Sequence, residues 1–127
     1  DSPTGEEILR ILRETDRENF TFILDTGRWK GSLGTNPKGV PDPEADIYEY
    51  MEETAPHASY VRAKIYKIDS GREEWIDYER VIGILRAVNF NGTMSIVYED
   101  QGNACNPREA ISLAVTHLRE MISTGSD

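Results

Sequence analysis

The sequence predicts an α/β fold in which parallel strands alternate with helices, and three observations carry that expectation. Strand-like runs at about 20–26, 59–67 and 93–99 are set among helix-like runs, so the order reads helix, strand, helix, strand, helix, strand, helix. Links from helix to strand ("PHA", "FNG") are short, whereas links from strand to helix, at about 27–42, 67–76 and 100–105, are long. Each strand also sends a charged residue to one common face near its carboxyl end. Strands joined through helices need right-handed crossovers, which lay the helices against the sheet.

The first helix opens at "SPTGEE", where Thr4 caps and Glu7, three residues on, closes a capping box. Ile8, Leu9, Ile11 and Leu12 follow at helical spacing. After the first strand, "PDPEADIYEYMEETA" announces a second helix with Asp42 as cap and Pro43 at its first position. Ile47, Met51 and Ala55 share one face of it. "ASYVRAKIYKI" is the second strand, and Asp77 caps the third helix, "YERVIGILRAVNF", which Asn91 and Gly92 terminate. "TMSIVYED" carries the third strand. The last helix opens at "NPRE", with Asn106 as cap, and runs through Ile111, Ala114, Val115, Leu118 and Ile122.

At 127 residues the chain has the length of one domain, residues 1–127, and not of two. Apolar residues at 38% and charged residues at 29% allow a buried core. The net charge of −9, from 23 acidic and 14 basic residues, argues against nucleic acid or an anionic membrane as the partner. No apolar run approaches the ~20 residues that span a bilayer, and no signal peptide is visible. The single cysteine, Cys105, cannot form an internal disulfide, which agrees with a cytoplasmic setting.

Alternation along each strand separates two faces. Phe20, Phe22 and Leu24 pack under helices, as do Val61, Ala63 and Ile65, and Met94, Ile96 and Tyr98. The opposite face shows Thr21, Ile23 and Asp25, then Tyr60, Arg62, Lys64 and Tyr66, then Ser95, Val97 and Glu99. Asp25, Lys64 and Glu99 thus converge, and buried charges of this kind pair or bind a ligand. An open sheet would bury this polar face under apolar side chains, whereas a barrel points it into a lumen open at one end. A (β/α)8, or TIM, barrel needs eight strands and about 250 residues. Three strands and four helices read as its C-terminal half, with a smaller α/β unit as the other reading. The absence of an initiator methionine favours the half barrel.

"FILDTG", "VRAKIY" and "IDYERVIGILRAVNFNGTMSIVYE" resemble the C-terminal half of xylose-isomerase-like TIM barrels, the sugar phosphate isomerase and epimerase family. The likeness runs from about Thr4 to Ile122. It implies a divalent cation, Mn, Mg or Zn, held by a Glu, an Asp, a His and a second Glu on successive strand ends. Asp25 matches the family's Asp in "LDTG" and is the expected metal ligand. The first Glu would precede residue 1, the His falls at Arg62, and the last Glu falls at Val97, so the ligand set is incomplete in this chain. Many relatives also carry a His where this chain has Arg28. Lys64 and Glu99 match the family's pattern. An arginine stays protonated and cannot ligate a metal. Arg62 instead puts positive charge opposite Asp25, so the sugar pocket is kept while the metal site is lost or rebuilt.

The expected activity is that of a sugar or sugar-phosphate isomerase or epimerase working by proton transfer next to a carbonyl. Glu99 and Lys64 are the candidate catalytic pair: Glu99 moves the proton, and Lys64 or Arg62 stabilises the enediolate oxygen. In "GRWKGSLGTNPKG", Arg28 and Lys30 suit a phosphate or carboxylate, and Trp29 suits stacking on a sugar ring. The other readings are an Asx turn for Asp25, a plain ion pair for Lys64 and Glu99, and a solvated loop anchored by Trp29. The glycines form no phosphate-loop pattern. Trp75 reads as a packing anchor, the acidic run "EADIYEYMEE" as the solvated side of a helix, and Cys105 as an unreactive thiol. His57 and His117 lie away from the strand ends. The second functional reading is a non-catalytic carbohydrate-binding relative. The expected partners are a small-molecule sugar or sugar phosphate, and either a second copy or the missing N-terminal half of the barrel.

Overall fold

The computed structural model describes residues 2–15, 21–35 and 37–124. Its elements are α1 (Gly5–Thr15), β1 (Phe22–Asp25), α2 (Ile47–Thr54), β2 (Ala58–Ile65), α3 (Tyr78–Ala87), β3 (Thr93–Tyr98) and α4 (Pro107–Thr124). A 3-10 turn, Ala55–His57, joins α2 to β2. The strands form a parallel sheet in the order β1-β2-β3, an α/β fold of alternating strands and helices. Phe20, expected at the start of the first strand, lies outside the described residues.

Local chemistry explains most boundaries. The Thr4 backbone N–H donates to Glu7 Oε1 at 2.9 Å, and the Glu7 N–H donates back to Thr4 Oγ1 at 3.3 Å, a closed capping box. Asp77 caps α3 by accepting from the Glu79 and Arg80 N–H groups. Asn106 accepts from the Glu109 N–H at the start of α4.

Two expected boundaries move. Asp42 does not cap α2; its carboxylate accepts from the Glu44 N–H and closes a separate turn, and Asp46 caps the helix from the Tyr48 and Glu49 N–H groups. Two aspartates in "DPEAD" compete for the role, and Pro43 heads the turn instead of the helix. Similarly, Asn91 and Gly92 do not end α3. Asn89 does, at φ 55°, with its N–H bonded to Arg86 O and the Phe90 N–H bonded to Leu85 O. This double bond around a left-handed residue satisfies the last carbonyls of the helix. Gly92 serves a close approach, since a Cβ there would strike the Ser59 carbonyl.

The core lies between the sheet and its helices. Leu24, Val61, Ala63 and Ile65 are fully buried, packed with Met51 of α2, Val81 and Leu85 of α3, and Ala110 and Ala114 of α4. The face assignment for β2 therefore holds, and Met94, Ile96 and Tyr98 of β3 pack against the same cluster. The buried stripe of α4 differs from expectation: Ala110, Ala114 and Leu118 are inside, while Ile111 and Ile122 are exposed. Ile11 of α1 is exposed as well. No helix among the described residues is long and apolar enough to cross a membrane.

Candidate functional site at the strand ends

The register of the sheet decides which polar side chains meet. Asp25 lies level with Arg62, which lies level with Ser95, and Lys64 lies level with Val97. Lys64 is thus one step beyond Asp25 and one step short of Glu99, diagonal to both. Its ammonium donates to Glu99 Oε2 in a charge-assisted bond and lies 4.0 Å from Asp25 Oδ2. The Lys64 and Asp25 side chains are 12% and 10% exposed, whereas that of Glu99 is 35% exposed. Three strand ends therefore share one constellation of two carboxylates bridged by an ammonium.

Asp25 is doubly engaged. Its Oδ1 accepts the Gly27 N–H at 2.9 Å, the Asx turn that "DTG" permits, while its Oδ2 is buried with no hydrogen-bond partner among the described residues. Burial pushes the carboxyl above its ordinary range, against the opposing pull of the Gly27 N–H and of the Lys64, Arg28 and Arg62 charges.

A second layer fixes Lys64. Thr26, fully buried, extends the ladder past β1: its N–H donates to Arg62 O and its Oγ1 accepts from the Lys64 N–H. The Tyr78 hydroxyl donates to Lys64 O at 2.6 Å and lies 2.8 Å from Thr26 Oγ1. The cap of α3 thereby locks the strand end that carries Lys64. Sequence reasoning missed Thr26 and Tyr78; the only signal was the position of Tyr78 directly after the cap Asp77.

The long loops close over these strand ends. Tyr66, directly after β2, is 1% exposed, and its hydroxyl wedges beneath the loop after β1. A Cβ at Gly27 or Gly34 would run into that hydroxyl, so both positions must stay bare. Glu73 staples the loop after β2: its carboxylate accepts the N–H groups of Tyr66, Lys67, Trp75 and Ile76. Burial still pushes the Glu73 carboxyl up. Asn103, in the loop after β3, accepts from the Ile68 and Asp69 N–H groups and donates to Tyr66 O. Neither Glu73 nor Asn103 is legible in "GREEW" or "QGNAC", where they resemble solvated loop residues. Trp75 packs on Tyr66 with ring centroids 5.4 Å apart, the anchor expected of it.

The structure separates the expected binding residues. Asp25, Arg28, Trp29 and Arg62 line one cleft of about 470 Å³ beside β1, together with Pro3 and Ile8. Lys30 lies apart, in a hollow with Ser32 and Asp42. The Trp29 ring belongs to the core, 2% exposed and tilted against Phe22 and Tyr50. Neither face is free for a sugar. His57 is exposed beside the amino end of β2, and His117 is buried on α4, where burial lowers its pKa. No family model and no curated protein matches this chain.

Proposed function

We propose that the chain is the C-terminal half of a xylose-isomerase-like (β/α)8 barrel and acts in the cytoplasm as a sugar or sugar-phosphate isomerase or epimerase. The observation that carries this reading is the convergence of Asp25, Lys64 and Glu99 at the carboxyl ends of three adjacent parallel strands. That end is where α/β enzymes gather their chemistry. Glu99, the most exposed of the three, takes the proton from the carbon next to a carbonyl and returns it to the neighbouring carbon or the opposite face. The Lys64 ammonium moves from Glu99 to the developing enediolate oxygen, a charge already positioned where negative charge appears. Thr26 and Tyr78 keep its backbone from shifting. The missing half of the barrel, or a second copy, would cover the remaining strand edges.

A divalent ion, implied by the resemblance, does not fit these residues as they stand. The Asp25 Oδ1 is occupied by the Gly27 N–H, and the Lys64 ammonium already bridges toward both carboxylates. Among the described residues no three His, Cys, Asp or Glu side chains come together as a metal-ligating group. The sequence pointed to Arg62 as the substitute charge; the geometry favours Lys64, with Arg62 level with Asp25 at the cleft.

The test is deuterium incorporation. The protein is incubated in D2O with aldoses, ketoses and their phosphate esters, and followed by NMR. We expect exchange at the carbon beside the carbonyl, slowed at least ~100-fold in Glu99→Gln. Exchange with no compound, or undiminished exchange in Glu99→Gln, would overturn the assignment. The binding-only reading draws on the closed Lys64–Glu99 pair, and it alone predicts saturable sugar binding without exchange.

A further inference from the structure

Trp29 is buried as a ring but unfinished as a donor. Its Nε1 has no hydrogen-bond partner among the described residues. Indole nitrogen only donates, and a buried donor left without an acceptor is destabilising. Buried tryptophans ordinarily find an acceptor for it. Asp25 lines the same cleft as Trp29, and its Oδ2, 4.0 Å from the Lys64 ammonium, has no hydrogen-bond partner among the described residues and only accepts while ionised. Arg28 and Arg62 line the cleft as well, each with a forked array of donors suited to an oxyanion. Lys64 and Glu99 are paired with each other, so the two arginines leave the cleft locally cationic.

We infer that this cleft is a subsite for a phosphate monoester bearing a neighbouring hydroxyl. The phosphoryl oxygens accept from Arg28, Arg62 and the Trp29 indole N–H, and the hydroxyl donates to Asp25 Oδ2. The inference rests on the isomerase reading in one respect, that the same molecule extends to Lys64 and Glu99. It narrows the ligand to the phosphorylated class and gives Trp29 a role as donor in place of stacking.

The experiment follows the indole ¹H–¹⁵N signals of the protein during titration with glycerol 3-phosphate, inorganic phosphate and glycerate. The Trp29 signal is assigned by its loss in Trp29→Phe, which separates it from Trp75. Glycerol 3-phosphate should shift the Trp29 signal saturably, inorganic phosphate more weakly, and glycerate least. Affinity for glycerol 3-phosphate should fall about tenfold in Trp29→Phe, the equivalent of ~1.4 kcal/mol, and at least as much in Arg62→Gln. Arg62 is exposed, so that variant keeps the test alive if the core substitution fails to fold. A Trp29 signal that never moves, equal binding of glycerate, or unchanged affinity in Arg62→Gln overturns the inference. The two readings separate in the wild-type protein, because the Trp29 signal reports the subsite and deuterium exchange reports the isomerase. Exchange of unphosphorylated sugars with no phosphate effect would sink this subsite alone; binding without exchange by any compound would sink only the isomerase.

Discussion

At Asp25 the demands of a site and of stability pull in opposite directions. The carboxyl is largely buried and one oxygen has no hydrogen-bond partner among the described residues, so the folded state disfavours its charged form. Its folded pKa is raised, and the stability it contributes is therefore full below the unfolded value and lost as pH rises through the folded one. An asparagine side chain at this position can still accept the Gly27 N–H and carries no charge. Asp25→Asn should unfold at higher urea than the wild type at pH 7, and the gap should close by about pH 3.5, below the ordinary carboxylate range. Glu73 shifts in the same direction, so acid-side stabilisation should persist in the variant. An Asp25→Asn variant less stable than wild type at pH 7 would show that Asp25 is held by its ion partners, not strained by burial.

Among the elements, the loop after β1 is tied to the strand ends by close packing. Tyr66 fills the space that a side chain at Gly34 would need, so Gly34→Ala should cost roughly 1–3 kcal/mol in urea unfolding. A change below about 0.5 kcal/mol would mean that the loop lifts freely from Tyr66. How much could be read beforehand depended on whether the signal was local. Thr4–Glu7, Asp77 and Asn106 declared their helices because a cap is satisfied within three residues. The α2 start was misplaced because Asp42 and Asp46 offer the same local chemistry, and only packing chooses between them. Period-two alternation correctly put Asp25, Lys64 and Glu99 on one face, but it could not show the diagonal that makes Lys64, not Arg62, the bridge. Trp29 looked like a loop aromatic, since nothing in "GRWKG" reveals that Phe22 and Tyr50 enclose it. Glu73 and Asn103 bind backbone groups from other segments, a long-range arrangement without a sequence pattern.

For the molecule as a whole, the distribution of charge matters more than its sum. A chain of net charge −9 gathers Arg28, Arg62 and Lys64 around Asp25 and Glu99 at one end of its sheet. This local excess draws anionic ligands to a surface that is otherwise acidic. The helices cover one face of the sheet, and on the opposite face Ile23 and Arg62 are exposed while Asp25 and Lys64 are largely buried. We propose that Lys64 supplies the positive charge of the site in place of a divalent ion. Equilibrium dialysis against Mn²⁺ at physiological salt, with elemental analysis of the protein, is the test. The arrangement of Asp25, Lys64 and Glu99 predicts only weak, non-stoichiometric metal in the wild type and tighter binding once Lys64→Met removes the ammonium. One ion per wild-type chain, lost in Asp25→Ala, would contradict it.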